Sequence, residues 1–274
     1  MTAPFSFRHD GLDFHGIAAG SGPPVVMLHG GGSRASSYAA MMGELADRFR
    51  CLAYDMRGFG DTGAPPGRAI THTLWAEDLG ACLDCNGIER TFLVGWSLGA
   101  TVALNYASRY PDRVRAMALL GAPHPNRPIN RALFQKRLDV IADGGDAAAV
   151  VAATFPAIAA AFSPWTATHR PDAIAQIRAE HLAQDVRLAA AVVEGYASRP
   201  DLHAVLPRVA CPVTLLVGDA DRTCDRAGAE ELARRLPQAT VRVVADCGHY
   251  YPVEQPEAVA AMIAAAFAVS AQNG

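Results

Sequence analysis

The chain has 274 residues, 51 per cent of them hydrophobic and 19 per cent charged, with a formal net charge of −3, a balance suited to a globular protein with a sizeable core. It offers neither a basic field for nucleic acid nor a polybasic stretch for an anionic membrane, so the favoured partner is a small, neutral or weakly charged molecule. Met1 to Asp10 lacks a basic segment followed by an apolar run, and Ala147 to Phe162 is too short to span a bilayer and is broken by Pro156, so we expect a soluble cytoplasmic protein without signal peptide or membrane span, in keeping with its six scattered cysteines.

Phe5 to Ala18 alternates loosely around Asp10-Gly11 and predicts an opening β-hairpin. Val25 to Leu28 is a continuous apolar run, as in a strand buried on both faces of a parallel sheet. It ends at His29-Gly30-Gly31-Gly32-Ser33, a loop whose consecutive glycines let backbone N–H groups approach a ligand. A helical stretch over Ser36 to Phe49 leads to a second buried strand, Cys51 to Tyr54, then to the turn-rich Asp55-Met56-Arg57-Gly58-Phe59-Gly60-Asp61-Thr62 and a helix around Thr73 to Asn86.

Thr91 to Val94 then predicts a strand that runs into Gly95-Trp96-Ser97-Leu98-Gly99 and a helix over Ala100 to Tyr110. Strand, sharp Gly-x-Ser-x-Gly turn and helix form the context of a nucleophile elbow, with small residues flanking a strained, exposed serine. Val114 to Gly121 is another strand, and the alternation argues for a parallel, doubly wound sheet. From Pro123 to Leu206 the pattern is helical, with proline breaks at Pro156, Pro164, Pro171 and Pro200 and borders at Pro123-His124-Pro125 and Pro207. Alternation resumes with a strand at Pro212 to Gly218, a helix at Ala227 to Leu236, a strand at Thr240 to Ala245 and a last helix from Gln255 to Val269. The organisation expected is a core of 1–122 and 207–274 with a helical lid at 123–206.

A serine hydroxyl needs an adjacent base, itself oriented by a third group. His249 follows a late strand, with Gly248 freeing the turn before it. Asp219, Asp221 and Asp225 compete for the acid; Asp221 is favoured because Asp219, nearer the strand end, suits backbone N–H groups of the loop. The order Ser97, Asp221, His249 differs from the orders of the chymotrypsin and subtilisin folds. The oxyanion donors expected are the amides of Leu98, at a helix N-terminus, and Gly31, with Gly30 as the alternate.

With these residues in view, the chain resembles the lidded α/β-hydrolase superfamily over nearly its whole length. The motifs that carry the resemblance are His29-Gly30, Asp55-Met56-Arg57-Gly58-Phe59-Gly60, Gly95-Trp96-Ser97-Leu98-Gly99, Gly218-Asp219-Ala220-Asp221 and Gly248-His249. The resemblance implies a mostly parallel eight-stranded sheet flanked by helices, Asp221 as the acid, no cofactor and no metal. It is similar to small carboxylesterases and 3-oxoadipate enol-lactonases, which implies a serine hydrolase acting on a carboxylic ester or lactone. Serine at the elbow argues against the dehalogenases and epoxide hydrolases of the fold, which place aspartate there. Carbon–carbon bond hydrolases of aromatic degradation and non-catalytic small-molecule receptors remain alternatives. The family often has proline a few residues after the acid, where this chain has Thr223-Cys224-Asp225.

Several other residues have plainer readings. His29 is expected to bond backbone and hold the glycine loop, and Asp55 and Arg57 to fasten the loop after the second buried strand. Cys82 and Cys85 have CxxC spacing in a helical stretch without a second ligand pair, so packing is the default. Cys247 is expected to be open to thiol reagents. Gly30, Trp96, His124, Trp165 and Tyr250 are the candidates for substrate binding, and Phe162 for closing over a substrate.

Overall fold

Strictly alternating apolar faces along the central strands build a sheet buried on both sides. The computed structural model describes residues 1–64, 69–124 and 131–272. Its strands are β1 (Ala3–His9), β2 (Leu12–Ala19), β3 (Pro24–Leu28), β4 (Arg50–Tyr54), β5 (Thr91–Trp96), β6 (Val114–Leu120), β7 (Val213–Gly218) and β8 (Ala239–Val244). They form one eight-stranded sheet in the order β1-β2-β4-β3-β5-β6-β7-β8. The β1–β2 hairpin turns at Asp10-Gly11, β2 pairs antiparallel with β4, and every later pairing is parallel.

Helices α1 (Ala39–Leu45), α2 (His72–Cys85) and α3 (Leu98–Arg109) precede β6; α4 (Arg131–Ala142), α5 (Ala147–Ala159), α6 (Pro164–His169), α7 (Pro171–Leu182), α8 (Ala189–Ala197) and α9 (Leu202–Val205) lie between β6 and β7. After β7 come α10 (Arg226–Arg235), α11 (Tyr251–Glu254) and α12 (Pro256–Gln272). Period-two alternation sends Val25, Met27, Phe92, Val94 and Trp96 into the layer with α1 and α12, and Val26, Leu28, Leu93, Met117 and Leu119 into the layer with α2, α3 and α10. No described helix is long and apolar enough to cross a membrane.

Three boundaries differ from the sequence reading. Ser36 to Phe49 begins as a 3₁₀ turn, Ala35–Tyr38, before α1. Pro156 does not break the chain: it lies inside α5, where one ladder bond is forgone and packing against α4 and α7 keeps the segment helical. The last helix divides at Gln255, whose φ of −136° and ψ of 55° reflect the bias of a residue before proline. Pro125, read as part of a border, lies outside the described residues.

Candidate active site

Ser97 sits between β5 and α3 at φ 52° and ψ −107°, a left-handed strain that a side-chain-bearing residue rarely adopts. Close packing enforces it. A Cβ on Gly95 would fall 2.6 Å from the Gly99 carbonyl oxygen, and one on Gly99 would fall 2.1 Å from that of Leu28. The Ser97 N–H donates to Leu120 O at 3.0 Å, tying the turn to the end of β6.

The imidazole of His249 faces that serine. Ser97 Oγ lies 3.1 Å from His249 Nε2, and His249 Nδ1–H donates to Asp221 Oδ2 at 2.9 Å. Asp221 also accepts from Tyr251 Oη at 2.8 Å and from the N–H groups of Thr223 and Cys224 at 2.8 and 2.9 Å. Burial alone would push the Asp221 carboxyl up, but His249 and these donors outweigh it and hold it below the usual carboxylate range. Burial likewise works against charge on His249, and Asp221 outweighs it, leaving the imidazole above its ordinary value. Asp219 accepts from the Asp246 and Cys247 N–H groups, and Asp225 caps α10 through Gly228 N–H, so neither competes for the histidine.

Among the described residues, neither the Leu98 nor the Gly31 N–H has a protein acceptor, and both residues line a cavity of about 360 Å³ together with Ser97 and His249. Leu98 is the first residue of α3, where the helix dipole adds to its donor strength. The glycine loop is held from behind. His29 Nε2 accepts from Met56 N–H at 2.9 Å while Nδ1–H donates to Gly30 O at 2.8 Å. Ser33 and Ser37 both donate to the buried Glu180 of α7. Asp55 accepts from Ala35 and Asp61 N–H groups, and Arg57 pairs with Asp78 and Asp10.

The substrate-binding candidates divide. His124 and Tyr250 line the cavity. Trp96 and Gly30 do not: alternation along β5 turns Trp96 into the core, where its indole N–H donates to His249 O at 2.7 Å, and Gly30 is pressed against that ring. Trp165 is also outside, stacked on His169 with 4.6 Å between ring centroids. The inward face of α6 is taken by its neighbour Thr166, one residue and about 100° round the helix. Phe162 stacks on Tyr250 at 4.2 Å. Cys247 is fully buried and its thiol is pushed well up by that burial, so the expected reagent sensitivity is corrected. In the CxxC pair Cys82 is buried and Cys85 exposed, both as free thiols.

Two roles escaped the sequence reading. Tyr251 Oη, besides donating to Asp221, accepts from Gly218 N–H at 2.9 Å. Glu254, fully buried, accepts from the N–H groups of Gly248, Tyr250 and Ser163 and from Thr166 Oγ1, at 2.8 to 3.0 Å. It fastens the histidine loop to α6. The only hint was a carboxylate closing the apolar run Tyr250 to Val253. Asp221, Cys224 and His249 are the one described trio spaced to hold a metal ion, but the hydrogen bonds taken by His249 Nδ1 and both Asp221 oxygens suit an acid–histidine pair better than a coordination sphere.

A family model described as the alpha/beta hydrolase fold matches residues 23–256, and the chain belongs to that family. Over 118 residues it is 36% identical to a 2-hydroxymuconate semialdehyde hydrolase of Pseudomonas sp. strain CF600, an alignment that spans 42% of each protein. A thermophilic esterase from Thermogutta terrifontis superposes with a TM-score of 0.83 at 29% identity, covering 98% of this chain and 99% of the other. The enol-lactonase from Burkholderia xenovorans LB400 shares the fold, with a TM-score of 0.85 at 22% identity over 96% and 99% of the two chains.

Proposed function

We propose that this member of the alpha/beta hydrolase fold family is a serine hydrolase that cleaves a carboxylic ester or lactone through an acyl-enzyme on Ser97. The observation that carries the reading is the unbroken hydrogen-bonded chain Ser97–His249–Asp221 at the wall of a cavity into which two unpaired amides open. Ser97 Oγ attacks the substrate carbonyl carbon as His249 Nε2 takes its proton, and the tetrahedral oxyanion is held by the Leu98 and Gly31 amides. The carbon–oxygen bond to the leaving group then breaks, and His249 returns the proton to the departing oxygen. Water attacks the acyl-enzyme with His249 again as base, releasing the acid and restoring the Ser97 hydroxyl. Asp221 keeps Nδ1 protonated throughout. Helices of the segment 123–206 act as a cap over the core of 1–122 and 207–274, excluding water, with His124 and Tyr250 lining the substrate's place.

A panel of nitrophenyl esters and lactones of graded acyl length tests the reading: turnover is expected in the wild type and absent in Ser97→Ala. A second reading, hydrolysis of a carbon–carbon bond in a vinylogous diketone, is favoured by the likeness to the Pseudomonas hydrolase. It would show as turnover of a ring-cleavage product by a protein that leaves the ester panel untouched.

A further inference from the structure

The cavity that Ser97 faces is lined by two guanidinium groups, Arg137 and Arg199, and by no carboxylate among the described residues. Arg137, on α4, is the informative one. Its Nε is buried without a hydrogen-bond partner, and among the described residues no Asp or Glu pairs with it. Burial pushes its pKa down, and among the described residues the Tyr196 hydroxyl opposes this. Two cavity histidines add no positive charge near neutral pH, because burial pushes His72 and His181 down to about 4, helped at His181 by Arg137 itself. A desolvated cation without a counterion is costly, and folded proteins normally pair it.

Arg137 shares this cavity with Ser97. It is close enough to Tyr196 and His181 to affect both electrostatically. Those two side chains rest directly on the glycine loop: a Cβ on Gly31 would fall 1.1 Å from Tyr196 Oη, and one on Gly32 would fall 2.2 Å from His181 Cε1. The rest of the wall is largely apolar, including Val150, Val151, Ile158 and Val192. This is a chamber for a small organic molecule carrying one anionic end, and a planar guanidinium fork matches a carboxylate.

We propose that Arg137 binds a substrate carboxylate, so that the natural substrate is an ester or lactone that also carries a free carboxylate group. The proposal rests on the serine-hydrolase reading above, and deepens it by naming the charge of the substrate.

Two measurements on the full-length protein decide it. In a pH-stat, the monomethyl esters of succinate, glutarate, adipate and suberate are compared with their dimethyl esters, and 4-acetoxybutyrate with its methyl ester, which places the carboxylate on the acyl or the leaving-group side in turn. The best half-ester is expected to exceed its neutral counterpart by roughly 10- to 100-fold in kcat/KM, with Arg137→Met abolishing that preference by lowering kcat/KM for the half-esters, through KM, at least about 10-fold more than for the neutral esters. In calorimetry on Ser97→Ala, the same half-esters are expected to bind, and the added Arg137→Met change to weaken them by a similar factor. Because the Arg137 Nε is buried without a partner, Arg137→Met is expected to melt close to the wild type. Neutral esters preferred by the wild type, an Arg137→Met change that lowers both classes alike, or half-ester binding that is indifferent to Arg137 would each overturn the proposal. A protein that hydrolyses neither class would overturn the ester reading, and the calorimetric comparison would still decide the role of Arg137.

Discussion

Tyr251 Oη donates a 2.8 Å hydrogen bond to Oδ2 of Asp221, the same oxygen that receives Nδ1–H of His249. The phenol and the imidazole therefore share one carboxylate oxygen, and the phenol stabilises the charge that holds the histidine. It also accepts the Gly218 N–H at the end of β7. Tyr251→Phe is expected to lower unfolding free energy by about 1–2 kcal/mol, measured in urea, because a buried donor loses its acceptor. With one donor fewer, Asp221 attracts the imidazolium more strongly, so the acid limb of kcat/KM is expected to move to higher pH.

The wild-type pH profile follows from the same pair. His249 must be neutral to take the Ser97 proton, and Asp221 raises its pKa above the ordinary 6.5 despite burial. Activity is therefore expected to fall as pH drops through an inflection above 6.5, read from kcat/KM against pH. Asp221→Asn removes both the charge and the tautomer control and is expected to cut kcat about 10⁴-fold.

Glu254 gathers four donors from the histidine loop and α6. Its replacement by glutamine puts an amide NH₂ where only acceptors fit, so Glu254→Gln is expected to lose about 3 kcal/mol of stability. Since the loop it fastens carries His249, kcat should fall with it. Urea unfolding and ester turnover on the same preparation check both effects.

Gly31 has no room for a methyl group, because Tyr196 Oη and Cζ would lie 1.1 and 2.4 Å from its Cβ. Gly31→Ala is expected to displace either the loop or the tyrosine and to cost about 10²-fold in kcat, the usual loss for one oxyanion donor. Tyr196→Leu vacates both clashing positions, so the double variant is expected to recover part of that loss. Steady-state kinetics on the two single variants and the double variant measures the coupling.

The central strands and the elbow were legible in the sequence because their signals are local: short apolar runs, and glycines at which an added Cβ would fall within 2.6 Å of neighbouring backbone. Asp221 was favoured over Asp219 because Asp219 lies nearer the strand end, and the family resemblance pointed to it over Asp225; Asp219 bonds loop amides and Asp225 caps α10. What escaped depends on contacts distant along the chain. The sequence does not reveal that Glu254 meets Ser163, that Glu180 meets Ser33, or that Arg137 lines the cavity with its Nε unpartnered among the described residues. Trp96 and Trp165 looked like pocket walls because aromatics beside a site often are; strand alternation and helix phase turned both away.

Ser97 as the residue that becomes acylated can be checked by mass spectrometry after treatment with a fluorophosphonate. The wild type is expected to gain one adduct on the peptide containing Ser97, with parallel loss of ester turnover, and Ser97→Ala is expected to gain none. An adduct of equal yield on Ser97→Ala, or ester turnover that survives the substitution, would contradict Ser97 as the nucleophile.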